Sequence, residues 1–197
     1  MSKFETLDLL LHENKGFIKT SEAFRTGISR AYFGEYVKAR GLLRAAHGLY
    51  MSQDAWGDGF YVLQTRYPDA VFSHETALYL LNLASREPIV FSITLKAGKN
   101  SAYLAKQGVK VYKVKSELFN IGIIEVLSPS GHKLRTYNSE RTICDLLRSR
   151  RNIEIQELQA AIKEYLNLKN KNIPLLIRYA KAFSVEKILR QYLEVLM

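Results

Sequence analysis

Lys19–Met51 reads KTSEAFRTGISRAYFGEYVKARGLLRAAHGLYM, and its punctuation decides the fold of the first part of the chain. Thr20 and Ser21 are expected N-caps, because a hydroxyl accepts from the free amides of a first helical turn. Glu22 suits the positive end of that helix. Ala23 and Phe24 supply apolar contacts. Gly27 stops the helix, since glycine takes the left-handed conformation without a Cβ penalty. Ile28 follows as a plug between two helices, and Ser29 caps the second one. Across Arg30–Arg40, Phe33, Tyr36 and Val37 share one face by the three-and-four spacing. Arg30, Tyr32, Glu35 and Lys38 fall on other sides, toward water or a groove. Gly41 ends this helix. Leu42–Ala46 and Leu49–Ser52 read as two short strands with His47-Gly48 at the tip, which puts Arg44 and His47 on a wing. Two helices, a glycine turn and a hairpin follow in the order of a winged helix-turn-helix, which sets its second helix in the major groove of DNA.

Charge supports that expectation. From Lys15 to Tyr50 there are seven basic and two acidic side chains, a net of +5, on a segment with groove-entering geometry. The plain alternative is a small helical subdomain with a solvated basic surface. Gly34, in mid-helix, costs about 1 kcal/mol against alanine and allows close backbone approach to DNA or to a neighbouring helix.

Outward from this stretch, Phe4, Leu7, Leu10 and Leu11 space a first amphipathic helix that packs under the other two. The N-terminal stretch MSKFETLDLLLHENKG carries acids among its apolar residues, which argues against a signal peptide. The chain has 197 residues, a formal charge of +10 and 47% hydrophobic residues, enough for one large domain or two small ones. Such a basic balance suits a polyanion. A membrane partner is not expected, because no apolar run approaches the ~18–20 residues of a spanning helix. With a single cysteine, Cys144, an intramolecular disulfide is impossible, and the cytoplasm is the expected compartment.

Turn formers in DAWGDG, Asp54–Gly59, mark a break. Phe60–Thr65 reads as one more strand. The expected domains are residues 1–66, a winged helix-turn-helix, and 67–197, a mixed α/β domain ending in helices; the fold class is α+β. In the second domain Ser73 caps a helix through Leu81. Ile89–Lys96 is a buried strand, Asn100–Gln107 a short helix, and Val109–Lys115 an alternating strand. Ile121–Leu127 and Lys133–Tyr137 form a hairpin around Ser128–Gly131. Helices then follow from Ser139, Ile155, Pro174 and Ser184.

Residues 1–66 carry only +2 of the net charge and residues 67–197 carry +8. Lys96, Lys99, Lys106, Lys110, Lys113 and Lys115 form a run without an acid, and Arg148, Arg150 and Arg151 form another. These are either a solvated surface or a continuation of the DNA track through Lys110, Lys113 and Arg148. Phosphate contacts of this kind supply affinity without sequence information and make it salt-dependent.

No catalytic constellation is legible. His74-Glu75 lacks the second histidine of a zinc HExxH motif. His12, His47, His74 and His132 have no metal spacing. Cys144, within a leucine-striped helix, reads as a small buried hydrophobe. No phosphate-cradling glycine loop is present. The expectation is a protein that is not an enzyme, with no metal and no cofactor.

GFIKTSEAFRTGISRAYFGEYVKARGLLRAAHGLYM (residues 16–51), SHETALYLLNL (73–83) and TYNSERTICDLLR (136–148) together resemble the AbiEi-type antitoxins of the bacterial AbiE abortive-infection systems, which are type IV toxin–antitoxin systems. The likeness in order covers most of the chain. The helix-turn-helix part is shared by many regulators; its pairing with the two later segments is the more specific element. The resemblance implies a transcriptional autorepressor that binds inverted repeats in its own operator. It implies a C-terminal domain that counters a nucleotidyltransferase-like toxin in phage defence, without a stable complex. Carried onto this sequence, it makes Ser29, Arg30, Tyr32 and Lys38 the recognition-helix residues, with Arg25 at the end of the preceding helix. Arg40, Arg44 and His47 become backbone contacts, and Lys19 lies within the same basic segment. Arg30 is the expected base reader, since arginine pairs with guanine O6 and N7. Two alternatives from other classes stand beside this one. One is a winged-helix regulator with a ligand-sensing C-terminal domain; the other is a nucleic-acid-processing enzyme with a cryptic site.

Overall fold

Residues 2–196 are described in a computed structural model. The chain divides into two compact units: the stretch up to Pro68 with Leu127–Lys133, and Asp69–Val126 with the stretch from Leu134 onward.

The first unit opens with α1, Lys3–Glu13, started by a capping box in which Ser2 and Glu5 satisfy each other's amides. It continues through β1 (Phe17–Lys19), α2 (Thr20–Arg25), α3 (Arg30–Ala39), β2 (Leu43–Ala46), β3 (Leu49–Met51) and α4 (Gly59–Arg66). The three strands form an antiparallel sheet in the order β1-β3-β2. Leu7, Ile18, Ala23, Ile28, Phe33, Tyr36 and Leu42 make one core. Ile28 is 4% exposed, as its position after the turn requires. Gly27, with φ of 79°, supplies the left-handed residue that ends α2.

Three local expectations change. Phe17-Ile18-Lys19, not read as a strand, is β1, and it pairs with β3 from Phe17↔Met51 to Lys19↔Leu49. Because β1 runs straight into α2, Lys19 takes the N-cap position and no side chain caps that helix; the Thr20 hydroxyl donates to the Gly48 carbonyl instead. Phe60–Thr65, expected as a strand, is helix α4. Asp58 decides this, because its carboxylate accepts from the Tyr61 amide at 3.0 Å. Phe60, Tyr61 and Leu63 then bury. The same aspartate accepts from Ser128 and holds His132 Nδ1 at 2.7 Å. Tyr61 stacks on the His132 ring at 4.1 Å. This polar knot joins the Leu127–Lys133 segment to the unit.

The second unit contains β4 (Val71–Phe72), α5 (His74–Leu80), β5 (Ser92–Lys96), α6 (Ala102–Lys106), β6 (Lys110–Val114), α7 (Ser116–Phe119), β7 (Ile123–Leu127) and β8 (Lys133–Tyr137). Helices α8 (Ser139–Arg148), α9 (Ile155–Asn167), α10 (Ile173–Ala182) and α11 (Glu186–Leu196) follow. The five-stranded sheet has the order β6-β5-β4-β8-β7. β4 pairs antiparallel with β5, while β5–β6 and β4–β8 are parallel. β5 is shorter than the expected Ile89–Lys96: pairing starts at Ser92↔Lys110, and Ile89 is 87% exposed.

The helices share a core that includes Leu78, Ile143, Leu147, Ile162, Tyr165, Leu176 and Leu189. Cys144 lies in it fully buried, and burial pushes its thiol up to about 12. In the heart of α8, Arg141 is 0% exposed. Its Nε donates to Asp145 at 2.9 Å and its Nη1 to the carbonyls of Leu118 and Ile121. The guanidinium plane is sandwiched between Tyr137 and Phe183, at 4.1 and 3.9 Å. A mixed α+β chain with two sheets is therefore what the sequence forms. Among the described residues no helix is long and apolar enough to cross a membrane.

Candidate nucleic-acid interface

Helix α3 is built to show one face. Ser29 Oγ accepts from the Tyr32 amide at 3.3 Å and starts it. Phe33 and Tyr36 are buried. The opposite ridge is Ala31, Gly34, Glu35 and Lys38, at the i, i+3, i+4, i+7 spacing. A Cβ on Gly34 would meet nothing within 4 Å. Ala31, Glu35 and Lys38 are exposed, as are Arg25 and Arg30. Among the described residues Arg25, Arg30 and Lys38 have no ion-pair partner. Their charges are available to an anion.

Other residues of the expected set are committed elsewhere. Tyr32 is half-buried; its ring meets Phe4 edge-on at 5.4 Å, with Lys3 Nζ 5.4 Å above it. It belongs to the packing against α1 more than to the outward ridge. Arg40 turns back on Asp8 of α1, with Nε 2.9 Å from Oδ1 and Nη2 bonded to Oδ2. The Tyr36 hydroxyl donates to the same carboxylate at 2.9 Å. Burial acts to raise the Asp8 carboxyl, but the Arg40 and Tyr36 bonds prevail and hold it below the usual range. Lys19 lies 3.4 Å from Glu22 and 5.0 Å over the Tyr61 ring. At the β2–β3 tip, Arg44 and His47 do meet: Arg44 Nη2 is 3.1 Å from His47 Nδ1, and both are exposed.

In the second unit the expected basic track does not form one line. Lys110 and Lys113 are three apart on β6, so they point to opposite faces of the sheet. Lys110 Nζ is 2.8 Å from Glu75 Oε1. Lys113 is exposed. Arg148 stands 3.9 Å from Asp145 and 5.6 Å over Phe183.

Lys110 and Arg148 instead flank a residue the sequence did not single out as polar machinery. His74 is 3% exposed with a φ of 51°. Its Nδ1 meets Ser73 Oγ and its Nε2 meets Ser149 Oγ, both at 3.0 Å. Its ring stacks on Tyr112 at 3.4 Å. Burial is the largest influence on it and lowers its pKa to about 3, with the charges of Lys110, Arg141 and Arg148 acting in the same sense. No local pattern announces this histidine, since only Ser73 is its neighbour in sequence, while Ser149 and Tyr112 come from distant parts of the chain. The Arg141–Asp145 pair did have a signal, an i, i+4 opposite-charge spacing on a leucine-striped helix. Among the described residues no group of three His, Cys, Asp or Glu side chains is placed to hold a metal ion.

No protein-family model matches the chain, and no curated protein matches it in sequence. Among solved structures, the crystal structure of the RV2827C protein from Mycobacterium tuberculosis is similar, with a TM-score of 0.60. The likeness covers 92% of this chain and 72% of that one at 11% identity. At that identity it is a likeness of fold.

Proposed function

We propose that the first unit is a winged helix-turn-helix that binds duplex operator DNA, and that the protein is the autorepressing antitoxin of an AbiE-type system. One observation carries the DNA reading. Helix α2, the Gly27 turn and α3 lead directly into the β2–β3 hairpin, and three cations on this path, Arg25, Arg30 and Lys38, have no ion-pair partner among the described residues. Arg30 at the first turn of α3 is the base reader, and Arg44 with His47 makes the wing's phosphate contact. Arg40 and Tyr32 hold α3 on α1 in this reading. The antitoxin part rests on the resemblance of three segments. Two of them become α5 and α8, whose Leu78 and Ile143 share a core, so the segments that carry the resemblance also pack as a pair.

The test uses duplex DNA from upstream of the protein's own gene, in fluorescence anisotropy at two salt concentrations. Specific, salt-dependent binding is expected. Arg30→Ala is expected to cost at least about 1 kcal/mol, the size of a mismatched base pair, with its loss confined to the specific site. Equal affinity for operator and unrelated DNA would sink the operator reading. For the antitoxin, co-expression with the adjacent gene's product is expected to restore growth; failure to restore it while DNA binding is intact removes that part alone.

A further inference from the structure

Between Lys15 and Tyr50 the two acids are Glu22 and Glu35. Glu22 is occupied: its Oε1 lies 3.4 Å from Lys19 Nζ, and its Oε2 accepts from Asn14 at 3.4 Å. Glu35 is exposed on α3, and among the described residues its carboxylate has no ion-pair or hydrogen-bond partner. The helix spacing offers it one cation, Lys38 at i+3, and that pair is not made. Ala31 and Gly34 precede it on the same outward ridge. Ala31 is exposed, and a Cβ on Gly34 would meet nothing within 4 Å. Helical side chains lean toward the N-terminus of their helix, so Glu35 reaches back over this bare turn. No bulky side chain on that part of the ridge holds the helix away from a partner.

On the DNA reading proposed above, on which this step rests, the ridge enters the major groove. A carboxylate there is repelled by the phosphates and gains only from a hydrogen-bond donor on a base edge. Guanine and thymine present acceptors in that groove, and adenine sets its N6 donor beside the N7 acceptor. Cytosine presents its N4 donor with no acceptor on the same edge. We infer that Glu35 is a specificity-determining residue that accepts a hydrogen bond from a cytosine N4 amino group. A rise of 1.5 Å per residue places it ~7.5 Å along α3 from Arg30, about two base-pair steps of duplex. The cytosine is therefore expected about two pairs from the guanine that Arg30 reads. On every other sequence the carboxylate stays unpaired among phosphates, and a penalty against wrong partners is itself a source of specificity.

The full chain tests this by selecting bound sequences from a randomised duplex library, followed by fluorescence anisotropy on the selected site at constant ionic strength. The wild-type chain is expected to select a cytosine near its guanine. Glu35→Ala is expected to keep the guanine preference, lose the cytosine preference and bind the selected site at least about fivefold more weakly. The same variant is expected to bind unrelated duplex more tightly, by up to about fivefold, the effect of one charge at contact in water. Loss on one sequence with gain on the rest is a result that misfolding does not give. Glu35→Gln is expected to change the preferred base at that position from cytosine to adenine, whose N6 and N7 match a side-chain amide. The inference is overturned if Glu35→Ala leaves every base preference in place. It is overturned equally if that variant tightens the selected site and unrelated duplex alike, which makes Glu35 a repelling charge only. A wild-type chain that selects no sequence removes the operator reading itself, and the role of Glu35 with it.

Discussion

His74 combines a left-handed backbone, full burial and two hydroxyl partners. A histidine buried neutral resists protonation in the folded chain, whereas the unfolded chain takes a proton near the ordinary value of 6.5. The folded pKa of about 3 is the lower one. The unfolded state therefore binds more protons between these values, and stability is lost as pH falls from about 6.5 toward 3. Lowering the pH from 7 to 5 is expected to remove about 2 kcal/mol through this residue, read from urea midpoints. His74→Asn keeps a residue that tolerates the left-handed region and removes the titration. Its stability curve is expected to be flatter over the same window; an unchanged slope assigns the acid sensitivity elsewhere. No sequence pattern carries this, because the burial comes from Tyr112, Ser149 and the strands around them.

At the scale of the element, α3 was legible in its ends and its inner face. Ser29 caps it, Gly41 follows it with a φ of 62°, and Phe33 and Tyr36 bury. Its outer face was less so, because helix period alone does not say where neighbouring helices reach around the flank. Tyr32 is drawn to Phe4, and Arg40 to Asp8. Gly34 offers a clean separation of folding from binding. A Cβ there meets nothing, so Gly34→Ala is expected to stabilise the protein by up to about 1 kcal/mol. If the outward ridge lies close to a DNA backbone, the same methyl group is expected to weaken operator binding. Thermal melting and anisotropy on one variant read the two effects with opposite signs. Helix α4 marks the opposite limit of legibility. Phe60–Thr65 looked strand-like by composition, and a single Asp58 cap with its tertiary partners Ser128 and His132 tips it to helix.

Across the whole molecule, charge by count and charge by availability differ. The second part of the sequence holds most of the surplus, yet Lys110 and Arg148 face carboxylates and Lys99 faces Asp69. Lys110→Glu is expected to destabilise by about 1 kcal/mol, since it sets two carboxylates together at a half-exposed pair. Lys113→Glu is expected to stay within about 0.5 kcal/mol. Chemical denaturation of both variants checks the contrast, and equal losses contradict the opposite-face arrangement.

The sequence by itself determined what short-range chemistry determines. Helix caps, glycine stops and the three-and-four stripes act over a few residues, and they set the ends and inner face of α3 and the helical stripe around Ile143 and Leu147. The tertiary structure decided which polar groups meet. Asp8 and Arg40 are 32 residues apart, and Glu75 and Lys110 are 35 apart. β1 exists only because β3 returns beside it, since three residues have no ladder of their own. An ion pair or a strand pairing depends on where the chain folds back, and that is fixed by the packing of every element together.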